Sequence, residues 1–204
     1  MVIDLGKLQS TLQKRQSQTR KLAGGTQAAV ILLIFRKGGE DCILFTRRTQ
    51  KVEHHKGQIS LPGGAKDPED EDLIDTALRE NQEEMGIAPA DVKVLGVLDD
   101  VATNTGFIIT PFVGVIPYPY AFQPFDEEIE EVIEAPVSAL IANRQPWQGL
   151  PFTPRGSGIR WQFEYNGHII WGATAQIIDQ FLGLLASFIG ELRKGGERVP
   201  PSQR

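Results

Sequence analysis

Three glutamates in the middle of the chain, Glu80, Glu83 and Glu84, have a spacing that places their carboxylates on one side of a helix. Like charges three or four residues apart cost a helix about 0.2 to 0.5 kcal/mol per pair, and a bound cation would reverse the sign of that interaction. Mg²⁺ suits such a cluster because it takes carboxylate oxygens and keeps waters and substrate phosphates in its shell. The spacing leaves two interpretations, a divalent-metal site or a solvated acidic face.

A predicted helix over residues 70–85 carries these glutamates. The chain enters it through Asp67-Pro68, and Asp70 or a neighbouring acid is expected to cap its positive end. Gly86 is expected to end it, because glycine adopts the left-handed conformation at a helix C-terminus without strain. A packing stripe runs beside the acidic face and consists of Ile74, Ala77, Leu78, Asn81 and Met85.

Hydrophobic patterns predict the elements that surround this helix. Leucines at helical spacing predict an N-terminal helix over residues 4–21, either packed on its own domain or in contact with a second copy of the chain. A thick apolar stripe predicts a C-terminal helix over residues 173–192. Strands are predicted at residues 27–36, 41–48, 92–101 and 107–116, with a hairpin at 161–171 that turns at Asn166-Gly167. Four loop aromatics either cover the sheet or stack on a substrate, namely Tyr118, Tyr120, Phe122 and Phe125.

The composition is that of one ordinary globular domain, with 204 residues of which 41% are hydrophobic and 23% charged. A net charge of −5 and a pI near 5.3 argue against nucleic acid as a partner. Without an apolar run of about 18 residues or an apolar leader, we expect no membrane association and a cytoplasmic protein. Cys42 is the single cysteine, and its apolar strand pattern favours a core residue over a nucleophile.

A longer pattern around the acidic helix resembles the Nudix box, the signature of hydrolases that act on a nucleoside diphosphate linked to another group. The sequence departs from the general pattern at one point, because the position six before Glu71 is Ala65 and the glycine stands one earlier, at Gly64. The matching residues are Glu71, Arg79, Glu80, Glu83, Glu84 and Gly86, followed by the apolar Ile87.

Further stretches are similar to the coenzyme A pyrophosphatase branch of that superfamily, in which the earlier glycine is common. The similarity extends over about residues 28–178 and is broken where Leu61 replaces the usual phenylalanine. The stretches that carry it are Leu44 to Thr49, His55 to Gly64, Lys66-Asp67-Pro68 and Ile170 to Ala175.

This resemblance implies an α/β (α+β) fold in which an α/β/α sandwich surrounds a mixed sheet. The metal-binding helix and the long C-terminal helix would lie against that sheet. We accordingly expect an N-terminal helical arm at residues 1–24, a hydrolase domain at residues 25–194 and a flexible tail at residues 195–204.

The resemblance also implies roles for residues of the acidic helix. Glu80 and Glu84 would be the principal ligands of Mg²⁺ or Mn²⁺, and Glu83 would be a further ligand or the base for the attacking water. Arg79 would orient the acidic cluster rather than contact the substrate. Glu71 is half a turn out of phase with Glu80 and would support the site through an ion pair with Arg79.

Positions outside the helix complete the expected site. Glu128, or failing that Glu127, would supply a later catalytic carboxylate, unless the acidic loop is merely solvated. The Gly63-Gly64 dipeptide would let backbone N–H groups approach phosphate, or would only form a tight turn. Arg48 would bind a phosphate or pair with a neighbouring acid, and His55 would lie near the substrate or be structural.

The leading hypothesis from this resemblance is a Mg²⁺- or Mn²⁺-dependent pyrophosphohydrolase that cleaves coenzyme A or its derivatives. Its products would be 3′,5′-ADP and 4′-phosphopantetheine, and its substrate a small-molecule nucleoside diphosphate derivative. One alternative is a Nudix hydrolase for ADP-ribose, NADH or an oxidised nucleotide. Another is a catalytically silent nucleotide-binding regulator, although the presence of all three helix glutamates speaks against silence.

Overall fold

A mixed sheet of eight strands forms the centre of the computed structural model, which describes residues 1–19, 25–51, 56–147 and 161–195. The strands are β1 (Thr26–Lys37), β2 (Glu40–Arg48), β3 (Ile59–Ser60), β4 (Gly63–Ala65), β5 (Lys93–Val97), β6 (Val101–Ala102), β7 (Phe107–Val115) and β8 (Ile129–Pro136). Their order is β3-β2-β1-β7-β5, with β4 beside β1, β6 beside β7 and β8 beside β2. β1 and β7 run parallel, whereas the other strand pairs are antiparallel. The predicted mixed sheet is therefore confirmed.

Four helices and a smaller sheet complete the described part of the fold. The helices are α1 (Leu5–Lys14), α2 (Leu73–Met85), α3 (Val137–Ala142) and α4 (Gly172–Gly195), and a 3-10 turn spans Pro89–Asp91. The smaller antiparallel sheet consists of β9 (Arg144–Pro146), β10 (Trp161–Tyr165) and β11 (His168–Ile170). The hairpin turn between β10 and β11 has positive φ at Asn166 and Gly167, as the sequence predicted.

Two hydrophobic cores lie on opposite faces of the central sheet. On one face, Leu32 and Ile34 of β1 pack with residues of α1 and α4. On the other face, Ile31 and Leu33 pack with residues of α2. β1 is buried on both faces, which explains its continuous apolar run, and the α/β/α sandwich is confirmed.

The N-terminal helix is shorter than predicted, since α1 ends at Lys14 and Arg15 is already extended. The chain leaves the helix there because Arg15 pairs with Asp99, whose carboxylate also accepts a hydrogen bond from the backbone N–H of Gln18. Leu8 and Leu12 are fully buried in the chain's own core. The apolar side of α1 therefore packs on its own domain, which was one of the two alternatives.

The segment that contains Gly63 and Gly64 lies in a gap of the central sheet. β1 and β2 pair with each other only near their hairpin turn, at residues 34–37 and 40–43. Beyond that point the strands diverge, and β3 pairs with β2 while β4 pairs with β1. This insertion places the glycine pair at the sheet surface that α2 covers.

The aromatic loop after β7 covers this same side of the sheet. Tyr118 stacks on Phe35 of β1 with ring centroids 4.9 Å apart, and Tyr120 and Phe122 pack on the same core. Hydrophobic cover is therefore confirmed for these three aromatic residues. Phe125 differs from them, because its side chain is 46% exposed.

The position of Cys42 agrees with its sequence pattern. Cys42 is buried in the core beneath α2, and burial raises the pKa of its thiol, as expected for a packing residue. Within the described ranges, no helix combines the length and the apolar character needed to cross a membrane.

Candidate active site

Both ends of helix α2 are fixed by capping residues, which sets the positions of its glutamates. Asp72 caps its N-terminus by accepting hydrogen bonds from the backbone N–H groups of Ile74 and Asp75. Gly86 ends it in the left-handed conformation with φ 67°, as predicted. The helix thus begins three residues later than expected, and a neighbouring acid caps it instead of Asp70.

Glu84 is the most buried carboxylate on α2, with a side chain only 6% exposed. Its Oε2 accepts a hydrogen bond of 3.1 Å from the backbone N–H of Gly63. Burial raises the pKa of Glu84 to about 7, against the opposing effects of this hydrogen bond and of Arg48. Such a carboxylate favours a neighbouring cation strongly, because water no longer stabilises its charge.

Glu80 lies one turn earlier and presses against Gly64. A Cβ at position 64 would lie only 2.4 Å from the carboxyl carbon of Glu80, so glycine is required for this approach. Burial is also the main cause that raises the pKa of Glu80, although Arg79 opposes the shift. The buried carboxylate of Glu84 and the half-buried carboxylate of Glu80 therefore converge on the glycine pair in the sheet gap.

Arg48 joins Glu84 to a carboxylate from another element. Its Nη1 lies 3.3 Å from Oε1 of Glu84, and its Nη2 lies 3.2 Å from Oε2 of Glu128. The pairing of β2 with β8 shifts between Arg47 and Arg48, and such irregularities redirect side chains next to active sites. The ion-pair alternative for Arg48 is present in this structure, and it lies inside the acidic cluster.

Glu128 reaches the site because its loop is tied to the end of α2. The backbone N–H of Phe125 donates to the carbonyl of Glu84, and the N–H of Glu128 donates to the carbonyl of Phe125. The carbonyl of Glu128 accepts from the backbone N–H of Thr49. Glu127 is exposed and contributes its backbone carbonyl, which accepts from the hydroxyl of Thr49. The structure thus brings Glu128, the first choice, to the site.

Arg79 lies at the other side of the cluster, among three carboxylates. It pairs with Glu80 at 3.1 Å and with Glu83 at 3.0 Å. Its third partner is Asp70, at 2.9 Å, and not Glu71 as predicted from the sequence. Asp70 is buried and also accepts from the hydroxyl of Thr76, whereas Glu71 is exposed.

The correction from Glu71 to Asp70 has a simple geometric reason. The loop between Gly64 and α2 folds so that the backbone N–H of Asp67 also donates to Asp70, which holds this side chain under Arg79. Asp70 stands six residues after Gly64, the spacing that the general pattern has between its glycine and its first acid. Counting forward from the glycine would have found it.

Replacing Asp70 with asparagine is expected to lower the Tm by several degrees, whereas Glu71→Gln is expected to leave it unchanged. Arg79 holds the pKa of Asp70 well below its usual range, so the stabilisation is present at neutral pH and is lost as pH falls through the usual range and below it. Thermal unfolding of both variants and the wild type at pH 7 and at about pH 2 measures this, since the loss occurs below the usual pKa of an aspartate. An equal fall in Tm for Glu71→Gln would contradict the assignment of Asp70, rather than Glu71, as the acid that stabilises Arg79.

For three predicted site residues the structure leaves the expected role untested. Glu83 is 59% exposed and pairs with Arg79 across one helical turn, so its role as a ligand or base stays a prediction. His55 lies outside the described residues. The backbone N–H of Gly63 serves Glu84, so a phosphate contact by this group also stays a prediction.

The arrangement of carboxylates suits a hard divalent cation. Within the described ranges, no group of three or more acidic, histidine or cysteine side chains forms a ready-made metal cage. Mg²⁺ does not require one, because proteins commonly hold it through one or two carboxylates while waters and substrate phosphates fill the remaining positions. Glu80 and Glu84 fit that requirement, as two poorly solvated carboxylates on adjacent turns of one helix.

Comparison with known proteins assigns the family. The model of the NUDIX domain matches residues 25–155, which include β1, the glycine pair, α2 and Glu128. The chain belongs to the Nudix family. Its class is therefore that of a Nudix hydrolase, as the box residues implied.

Relatives and solved structures of Nudix proteins agree with this assignment. An uncharacterized Nudix hydrolase NudL from Citrobacter koseri is 41% identical over 154 residues, which cover 74% of this chain and 79% of that protein. The NudL of Cronobacter sakazakii is 39% identical over 179 residues, which cover 87% of this chain and 90% of that protein. The Nudix hydrolase RenU from M. smegmatis shares the fold with a TM-score of 0.51 at 19% identity, covering 89% of this chain and 91% of RenU.

A further solved structure shows the same Nudix fold. It is the NUDIX domain of Shewanella oneidensis NrtR complexed with ADP ribose, with a TM-score of 0.51 at 16% identity. The match covers 85% of this chain and 92% of that one. At this level of identity, the likeness extends to the fold alone.

Proposed function

We propose that this Nudix hydrolase is a pyrophosphohydrolase that cleaves the diphosphate of coenzyme A or its derivatives, with Mg²⁺ or Mn²⁺ as cofactor. The products would be 3′,5′-ADP and 4′-phosphopantetheine. The observation that carries the proposal is the convergence of the carboxylates of the half-buried Glu80 and the buried Glu84 on the Gly63-Gly64 pair, with Arg48 beside them. This arrangement provides both a cation site and an adjacent guanidinium for a doubly charged diphosphate.

Each residue of the site has a function in this proposal. A divalent ion held by Glu80 and Glu84 would supply charge neutralisation for the diphosphate oxygens and lower the pKa of a water. Glu128, or the exposed Glu83, would accept the proton of the attacking water. Arg79 would keep Glu80 and Glu83 oriented, because its guanidinium contacts both of them and Asp70.

The choice of coenzyme A depends on stretches that are distant in sequence, and the structure joins two of them. The hydroxyl of Thr174, at the start of α4, donates to the backbone carbonyl of Ile59 at 3.3 Å. The backbone of Arg48 bonds to the same segment, through Gly57 and Gln58. The described part of the first branch-type stretch, residues 56–64, therefore meets residues 170–175 next to Arg48, which supports one substrate site built from both.

The test is product analysis by mass spectrometry with competing substrates. Purified protein would receive Mg²⁺ or Mn²⁺ and an equimolar mixture of coenzyme A, dephospho-coenzyme A, ADP-ribose, NADH and 8-oxo-dGTP in ¹⁸O-water. Preferential loss of coenzyme A, with label in one phosphate product, supports the proposal and identifies the attacked phosphorus.

Other outcomes of this experiment have definite meanings. Preference for another compound overturns the coenzyme A assignment and retains Nudix chemistry. Lack of turnover with either metal favours a nucleotide-binding regulator. The Glu80→Gln variant controls for contaminating hydrolases, because it removes one proposed ligand while it keeps the shape of the side chain.

A further inference from the structure

Arg48 occupies the centre of the acidic cluster and not its rim. Its two terminal nitrogens contact carboxylates of different elements, Glu84 on α2 and Glu128 on the loop before β8. Only 24% of its side chain is exposed, and the carboxylate of Glu84 is almost inaccessible. A positive side chain is therefore built into the place where a cation is expected.

The geometry of the cluster explains why a positive group lies there. The carboxylates of Glu84 and Glu128 both lie within 3.3 Å of the same guanidinium, and Glu80 precedes Glu84 by one turn of α2. Both oxygens of Glu84 are engaged in this state, one by the backbone of Gly63 and one by Arg48. A divalent ion that binds Glu84 would compete with Arg48 for the same oxygen and would repel its positive charge.

The neighbouring arginine provides a contrast within the same strand. Arg47 points to the other side of the β2–β8 pair, where it contacts Glu130 at 3.1 Å and Glu131 at 3.2 Å. The different partners of the two arginines show that their side chains point in different directions. Arg47 thus has the same charge and a similar number of acidic partners, but its partners lie outside the candidate site.

We propose that Arg48 is an exchangeable counterion that neutralises Glu84 and Glu128 in the metal-free protein and leaves Glu84 when a divalent ion binds. The released guanidinium then contacts the diphosphate of the substrate, and this second step rests on the proposed function. Arginine suits the exchange because its planar fork matches both carboxylate and phosphate oxygens. In the metal-free enzyme, Arg48 therefore links the two carboxylates and already lies near the place where it would contact the substrate.

The test measures Mn²⁺ binding by electron paramagnetic resonance, without any substrate. Arg48→Gln is expected to bind Mn²⁺ about two- to fivefold more tightly than the wild type, because a competing, partly exposed ion pair is removed. Arg47→Gln is expected to bind Mn²⁺ as the wild type does. Arg48→Lys, which keeps the charge with less directional contacts, is expected to lie between them. Unchanged or weaker Mn²⁺ binding in a folded Arg48→Gln overturns the exchange.

Steady-state kinetics on the substrate that the wild type turns over test the second step. The Arg48→Gln variant is expected to lose at least about tenfold in kcat/KM although it binds the metal more tightly. Tighter metal binding with undiminished kcat/KM would refute the substrate contact. Because the Mn²⁺ measurement needs no turnover, failure of the coenzyme A assignment would leave its result interpretable. Thermal unfolding verifies that each variant is folded.

Discussion

Replacing Glu84 with glutamine is expected to lower kcat/KM by about a thousandfold or more while the metal-free protein becomes more stable at neutral pH. Loss of a metal ligand removes several kcal/mol of transition-state stabilisation, which corresponds to a loss of this size. The amide of glutamine retains an oxygen that can accept the hydrogen bond from Gly63. The change removes the charge and the ion pair with Arg48, which keeps Glu128 as its partner, and it leaves the packing of α2 intact.

The gain in stability depends on pH with a definite sign. Burial raises the pKa of Glu84 from 4.5 to about 7, so the folded protein binds this proton more tightly than the unfolded chain. The resulting stabilisation is fully present below pH 4.5 and is lost as pH rises through about 7. Relative to Glu84→Gln, the metal-free wild type should lose on the order of 3 kcal/mol over this interval.

Denaturant unfolding at pH 5 and pH 8 with a chelator measures the stability difference, and steady-state kinetics measure the activity. Asp75→Asn is the matched control, since it removes a carboxylate from the first turn of the same helix outside the cluster. Its kcat/KM should stay at the wild-type level. Wild-type activity in Glu84→Gln would exclude Glu84 as a metal ligand.

Alanine at the two adjacent glycines is expected to have different consequences, with Gly63→Ala destabilising the fold and Gly64→Ala inactivating the enzyme. A Cβ at Gly63 would lie 2.2 Å from the carbonyl oxygen of Ala29, and the residue has φ +142°. Since backbone cannot yield cheaply, Gly63→Ala should cost about 3 kcal/mol or more, a fall of about 6 to 12 °C in Tm.

At Gly64 the obstructing group is the end of a flexible side chain, the carboxylate of Glu80. Its displacement relieves the clash at little cost in stability, but it moves a proposed metal ligand. Misplacement of a catalytic group by about 1 Å can cost a hundredfold in rate, so kcat/KM should fall by about that factor in Gly64→Ala. Mn²⁺ affinity should fall with it.

Differential scanning calorimetry and kinetics on both variants separate the two effects. Gly183→Ala is the control, because this glycine lies in α4 with open space around it and alanine favours helix. That variant should be as stable and as active as the wild type. If both variants at the glycine pair lost stability equally and kept their activity, Gly64 would be a turn residue and not the space for Glu80.

Much of this site could be predicted from local sequence, because a helix fixes the relative directions of its own side chains. The stripe on α2 was correct at Ala77, Asn81 and Met85, which are all fully buried. The end of the helix at Gly86 and the hairpin turn at Asn166-Gly167 also follow from short-range chemistry. These features require no knowledge of distant residues.

Other features could not be predicted, because they depend on contacts between segments far apart in sequence. Helical phase suggested Glu71 as the partner of Arg79, yet the fold of the preceding loop brings Asp70 there instead. The length of α1 was overestimated for a similar reason, since Asp99 on a distant turn captures Arg15 and ends the helix early.

By itself, the sequence determined the α/β class, the helix that carries the glutamates and the family to which the chain belongs. Only the tertiary structure decided that Glu84 is desolvated, that the glycine pair fills a gap between diverging strands, and that Arg48 joins two carboxylates. The physical reason is that burial and ion pairing arise where separate elements meet. Periodicity fixes the direction of a side chain on its own element, whereas its neighbours depend on how the whole sheet closes around it.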